Sequence, residues 1–295
     1  MPYQKFLRHL QYEKRYSKYT LTAYGNDLKQ FFSFINQTYQ VNDLGSITHF
    51  FIRSWVVSLM EQKLDSRSVN RKISTLKSLY KFLLREKAVE HNPMLKIIAP
   101  KVSKKLPVFV SQKDMDTLLD GIEFEPGFPG LRNKLIINLF YQTGMRLSEL
   151  INLTDKDVDL HNLTVKVLGK RNKERIIPIT PELKTQIDEY FHERNRACVK
   201  NELEPVFFMG DKGNKLYPKF VYNLVTKMLG QVTTSEKRSP HVLRHTFATQ
   251  MLNNGAEINA IKEILGHSSL AATQVYTHNT IEKLKNIYKQ AHPKA

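Results

Sequence analysis

Four short segments hold the side chains best suited to chemistry. TGMRLSEL, residues 143–150, has Arg146 just past a glycine and Glu149 three residues on. LGKRNKER puts Lys170 in a polar turn, with Lys173 in the same turn. SPHVLRHTFAT carries His241, Arg244 and His245, and LGHSSLAATQVYTH carries His267 and Tyr276. A guanidinium is a permanently protonated, forked donor. A histidine can carry a proton near neutrality, and a lysine can supply one when its pKa is lowered. A phenol, with a pKa of about 10, needs cationic neighbours or a base before it attacks anything. Together these groups can hold an anion and move protons around it. Singly, each has a plainer reading. A helical arginine is usually a surface residue, and Tyr276 alone reads as a core or interface tyrosine. The histidines read as ordinary polar residues or as metal ligands, but their spacing is not HExxH and no cysteine cluster joins them.

Local signals say which elements must carry these groups. Ser239 stands where a helix N-cap would and Pro240 at the first helical position, so His241 and Arg244, three apart, share one helical face. NLTVKVLG and ERIIPIT are β-branched runs joined by GKRNK, which reads as a hairpin with Lys170 in its turn. LRNKLIINLFYQTG reads as a helix ending at Gly144, with another starting near Arg146. Gly266 ends a helix ahead of His267, and Tyr276 lies on the next. Ser111 reads as the N-cap of SQKDMDTLLDGI.

The front of the chain reads as helices. Thr20 is the expected cap of a segment whose stripe is Leu21, Tyr24, Leu28, Phe31, Phe32 and Ile35. FFIRSWVVSLMEQK is a second helix. After Ser66 comes a third, with Val69, Ile73, Leu76, Tyr80 and Leu83 on its apolar stripe. Arg67, Arg71, Lys72, Lys77 and Lys81 fall off that stripe, where they can meet phosphates or merely water. Between these helices and the second half the periodicity fades into a proline- and lysine-containing stretch that includes Lys104 and Lys105. The expected organisation is a helical domain over 1–97, a linker over 98–108 and a catalytic domain over 109–295. The expected fold class is mainly α, with a small β-sheet or hairpin in the second domain.

The formal net charge is +17 over 295 residues. Residues 1–105 hold 19 of the 45 basic and 7 of the 28 acidic side chains, so the excess is concentrated in the first third. A domain this basic points to a polyanion, most simply nucleic acid. No apolar run is long enough to cross a bilayer and the first residues form no apolar signal core, so a cytoplasmic protein with no membrane partner is expected. The single cysteine, Cys198, excludes an internal disulfide framework.

The ordered set of Arg146 in GMRLSEL, Lys170 in a hairpin turn, His241 and Arg244 in HVLRH, His267 in LGHSS and Tyr276 in VYTH resembles the catalytic signature of the tyrosine recombinases. It is most similar to the Xer subfamily of bacterial chromosome-dimer resolvases, over nearly the whole chain. The resemblance implies a two-domain clamp around double-stranded DNA at a specific recombination site. It also implies a homo- or hetero-tetramer joining two duplexes, and no metal or other cofactor. A second recombinase or a DNA translocase is a possible activating partner.

By the same resemblance, Tyr276 is the nucleophile and becomes joined to the 3′ phosphate. Arg146 and Arg244 hold the non-bridging oxygens. Lys170 protonates the departing 5′ oxygen, and His241 and His267 assist with hydrogen bonds and protons. Glu149 supports the site. The basic side chains expected to contact DNA are Arg67, Arg71, Lys72, Lys104 and Lys105. Rival expectations are a mobile-element integrase, a type IB topoisomerase and a catalytically silent DNA-binding protein. The integrase reading usually brings an extra arm-binding domain, for which this chain has no evident room.

Overall fold

The structure is a computed structural model that describes residues 3–41, 43–103, 108–169, 173–197, 206–266 and 278–294. The chain divides into two compact units, Met1–Lys105 and Leu106–Ala295.

The first unit is built from four helices, α1 (Gln4–Tyr12), α2 (Lys18–Tyr39), α3 (His49–Glu61) and α4 (Ser66–Arg85), followed by a 3-10 turn at Pro93–Lys96. Helix α2 starts one turn earlier than its apolar stripe implies. Ser17 is the cap and accepts from the main-chain N–H of Thr20, so Thr20 is inside the first turn. Asp65 caps α4 by accepting from the N–H of Arg67. The expected stripe of α4 is buried, together with Leu28, Phe31 and Ile35 of α2 and Ile52, Trp55 and Leu59 of α3. The rings of Phe31 and Trp55 meet edge to face at 4.9 Å.

One expectation for α4 fails. Lys72 does not face solvent: its ammonium is buried and donates to Oδ1 of Asp27 at 3.0 Å and to Oε1 of Gln30. A buried ammonium needs a partner, and the carboxylate of α2 takes this one out of reach of a phosphate. Arg71 also pairs with Asp27 but keeps its side chain half exposed. Arg67, Lys77 and Lys81 are exposed.

The second unit opens with α5 (Gln112–Asp116), capped by Ser111 as expected, and runs through a wider turn at Thr117–Gly121. Then come α6 (Phe128–Thr143), α7 (Leu147–Ile151) and a 3-10 turn at Asp155–Asp157. A three-stranded antiparallel sheet follows, ordered β1 (Val158–Asp159), β2 (Thr164–Leu168), β3 (Glu174–Pro178). β2 and β3 form the expected hairpin, with Val165 opposite Ile177 and Leu168 opposite Glu174. The remaining helices are α8 (Pro181–Ala197), α9 (Pro218–Val232), α10 (Pro240–Asn253), α11 (Ile258–Leu265) and α12 (His278–Ala291).

Helix α6 is the axle of this unit. It is buried along nearly its whole length, with α8 and α10 against it. Helix α12 packs within its own unit, against α10, α11 and β3. It buries Leu284, Tyr288 and Ala291. Among the described residues no helix is long and apolar enough to cross a membrane.

Candidate active site

Two helix ends place the first arginine. Gly144 closes α6 with φ +57°, a left-handed conformation. A β-carbon there would lie 2.7 Å from side-chain atoms of both Leu265 and Phe247, so only glycine fits. Two residues later Arg146 is the N-cap of α7. Its main-chain N–H donates to Oε2 of Glu149 at 2.7 Å, and its Nη1 donates to Oε1 of the same carboxylate at 2.6 Å. Nη2 reaches towards the Gly266 carbonyl at 3.4 Å.

Glu149 has a second cationic partner that the sequence reading missed. Arg175, the second residue of β3, donates from Nη1 and Nη2 to the two carboxylate oxygens at 2.9 and 2.8 Å, and from Nε to the carbonyl of Ile264 at 2.6 Å. Arg175, Ile177 and Ile179 alternate along one buried face, so strand periodicity already pointed Arg175 inward. Burial alone would raise the Glu149 carboxyl. The hydrogen bonds and charge of Arg175, then those of Arg146, outweigh it and pull the pKa down to about 2. Glu149 is therefore a carboxylate at any physiological pH.

Arg244 comes from α10. Its Nη1 donates to the carbonyl of Gly144 and its Nη2 to that of Leu265, both at 2.5 Å. Each terminal nitrogen carries two N–H groups, so these bonds orient the fork and leave a further N–H on each. Burial, then repulsion from Arg146 and Arg175, lowers its pKa to about 10, which keeps it charged near neutrality. His241, one turn earlier, is pushed down first by burial and then by His245, Arg244 and Arg146, which favours neutral imidazole.

Arg146, His241 and Arg244 line one small pocket of about 70 Å³ with Met145, Leu147, Pro240 and Tyr222 of α9. Two guanidiniums, those of Arg146 and Arg175, hold the Glu149 carboxylate, and a third, that of Arg244, is held on the carbonyls of Gly144 and Leu265. Such a cluster is arranged for an incoming anion. Lys170, His267 and Tyr276 lie outside the described residues, as do Lys104 and Lys105. In the sequence, Lys170 follows Gly169 at the end of β2, and His267 follows Gly266 at the end of α11. Ser239 stands at the N-cap of α10, but its side chain makes no capping hydrogen bond.

A helical first unit is followed by an α+β second unit whose small pocket is lined by Arg146, His241 and Arg244. Residues 109–283 match the Phage integrase family and residues 3–87 match the Phage integrase, N-terminal SAM-like domain; the chain belongs to this family. Among curated relatives, the tyrosine recombinase XerC of Halalkalibacterium halodurans is 38% identical, over 98% of this chain and 96% of its own. XerC of Anoxybacillus flavithermus is 36% identical, over 98% and 97%. XerD of H. halodurans is 34% identical, over 99% and 97%. Among solved structures, a XerH site-specific recombinase bound to palindromic difH substrate aligns with TM-score 0.72 at 22% identity, covering 96% of this chain and 82% of that one. The Tn1549 transposon integrase in complex with a circular intermediate DNA gives 0.73 at 19%, covering 97% and 94%. These last two carry the likeness of fold.

Proposed function

We propose that this protein is a Xer-like site-specific recombinase that cuts and rejoins DNA through a 3′-phosphotyrosyl intermediate, resolving chromosome or plasmid dimers. The observation that carries the site reading is the pocket shared by Arg146, His241 and Arg244. Attack on a phosphodiester piles negative charge on phosphorus, and two preoriented guanidiniums answer it without reorganising. Neutral His241 can hydrogen-bond the phosphate and help move a proton. Tyr276 attacks phosphorus, and Lys170 gives a proton to the departing 5′ oxygen. His267 assists beside them. The tyrosyl ester conserves the energy of the broken bond, so rejoining consumes no nucleotide.

The proposal extends to organisation. Residues 98–108 link the two working domains, and Lys104 and Lys105 follow the DNA backbone between them. Four protomers, identical or of two kinds, join two duplexes in the cytoplasm. A translocase is a candidate activator.

The experiment is Tyr276→Phe on a nicked suicide duplex carrying the protein's own site. The phenol oxygen is the only atom proposed to bond to phosphorus. The expected result is DNA affinity within about twofold of wild type with no covalent adduct, while wild-type protein traps an adduct with EDTA present. Adduct formation by the phenylalanine variant would move the nucleophile to another residue.

A further inference from the structure

The described part of the site holds one charged residue that the catalytic proposal leaves without a task. Arg175 is almost fully buried, and all its nitrogens are engaged: two on Glu149 and one on the Ile264 carbonyl. It touches three elements at once. Its own strand is one arm of the hairpin, Glu149 belongs to α7, and Ile264 belongs to α11. A β-carbon on Gly169 would lie 3.5 Å from Nη1 of Arg175 and 3.8 Å from Nη1 of Arg146, so both guanidiniums come close to Gly169. A β-carbon on Gly266 would meet Cδ of Arg175 at 3.1 Å.

The sharing of the Glu149 carboxylate is unequal. Arg175 takes both oxygens in a bidentate grip, whereas the Arg146 side chain holds one through a single nitrogen. The other oxygen receives the main-chain N–H of Arg146, which fixes the start of α7. Without Arg175, a buried carboxylate would have one guanidinium left to neutralise it, that of Arg146. A charge so paired attracts a phosphate weakly, because the pair is nearly neutral at a short distance.

We propose that Arg175 is a positioning residue that satisfies Glu149, so that Glu149 anchors Arg146 without cancelling the charge Arg146 offers to the DNA phosphate. This rests on the reading of Arg146 as a phosphate ligand. It makes Glu149 a scaffold shared by two cations, with only one of them turned to the substrate. Arg175 itself does not touch DNA.

The test compares single-turnover cleavage by four full-length proteins on the suicide duplex: wild type, Arg175→Met, Glu149→Gln and the double variant. Methionine keeps the length of the side chain and drops its charge. Arg175→Met is expected to slow cleavage about a hundredfold, the order seen when a preorganised donor is lost. Adding Glu149→Gln removes the carboxylate that would capture Arg146 and still leaves an oxygen to cap α7. The double variant is therefore expected to cleave about tenfold faster than Arg175→Met alone, a coupling of the size contacting residues show. A residue that merely filled space would give a double variant as slow as, or slower than, the single, and that result overturns the proposal. If Arg175→Met does not fold, as judged by its melting curve, the comparison passes to Arg175→Lys. Lysine keeps a charge but not the fork, so Arg175→Lys is expected to be slowed, and adding Glu149→Gln to it is expected to restore about tenfold; a folded Arg175→Lys, Glu149→Gln protein no faster than Arg175→Lys also overturns the proposal. Arg146→Ala separates the two readings. Wild-type cleavage by that variant sinks the phosphate-ligand reading itself, whereas an inactive Arg146→Ala beside an unrescued double variant sinks only the role of Arg175.

Discussion

Asp27 of α2 and Lys72 of α4 form a buried ion pair, Oδ1 to Nζ 3.0 Å, with side chains only 2% and 6% exposed. Thr75 donates a further hydrogen bond to Oδ2 at 3.0 Å, and Arg71 caps the same carboxylate from the solvent side. The cluster locks two helices of the basic unit together. It also separates Lys72 and Arg71, which Asp27 holds, from Arg67, Lys77 and Lys81, which are exposed.

That division gives separable outcomes for substitution. Lys72→Met strands Asp27 with fewer partners and is expected to cost about 3 kcal/mol of stability, the lower end for breaking a buried pair. Its effect on the salt dependence of DNA binding should be nil. Arg67, Lys77 and Lys81 are exposed, and changing each to alanine should leave stability within about 0.5 kcal/mol. Each that contacts a phosphate should lower the slope of log K against log salt by about one. Urea denaturation and binding isotherms at several salt concentrations measure the two effects. A Lys72→Met protein of unchanged stability but shallower salt slope would return Lys72 to the DNA interface.

Glu149 makes acid resistance a readout of the site. Its carboxyl has an ordinary value of 4.5 and is held at about 2 in the folded protein. The unfolded chain thus binds more protons between those values. The stabilisation is complete above about pH 4.5 and is lost as pH falls toward 2, amounting to about 3 kcal/mol. Glu149→Gln lacks this titration, so its stability should fall less steeply over that range. Urea midpoints at pH 6, 4 and 3 test this. Parallel pH profiles for the two proteins would mean that Glu149 is not the group held ionised by the arginines.

Much of this was legible in the sequence because one element at a time carried it. The β-branched runs around GKRNK gave the hairpin, and Gly144 and Gly266 marked helix ends that the structure closes with positive φ. The apolar stripe of α4 predicted its buried face. What escaped depends on two elements meeting. Lys72 lies three residues past Val69 and four before Leu76, hence beside the stripe. Its burial becomes acceptable only because α2 brings Asp27 opposite. Arg175 shows the opposite failure, since strand alternation placed it inward but its partner belongs to another element. Thr20 and Ser17 are both hydroxyl residues one helical turn apart, and composition could not choose between them. Tyr276, the residue on which the catalytic proposal turns, rests on its motif and on the experiment above.

The tail offers the last test. Tyr288 of α12 donates its hydroxyl to the main-chain carbonyl of Gln142 in α6 at 3.0 Å, and its ring stacks on His292 with centroids 4.8 Å apart. Leu284 and Ala291 are buried on the same helix, and Lys294 pairs with Asp116 and Asp120. The amphipathic end of the chain is thus part of the core of its own unit in this structure. Removing residues 280–295 would uncover several core residues at once. Each large buried apolar side chain lost costs about 2–5 kcal/mol, against a total stability of about 5–15 kcal/mol. The truncated protein is therefore expected to lose the cooperative melting of its second unit, and with it cleavage, before any question of assembly arises. Tyr288→Phe is the gentler probe. It keeps the ring, removes one buried hydrogen bond and should cost about 1–2 kcal/mol while still forming the covalent adduct. Calorimetry of the three proteins, followed by the suicide-substrate assay, reads both effects. A truncated chain that melts like the full-length protein would show that α12 contributes nothing at home. The helix would then be free for a neighbouring protomer, and Tyr288→Phe should leave the melting temperature unchanged.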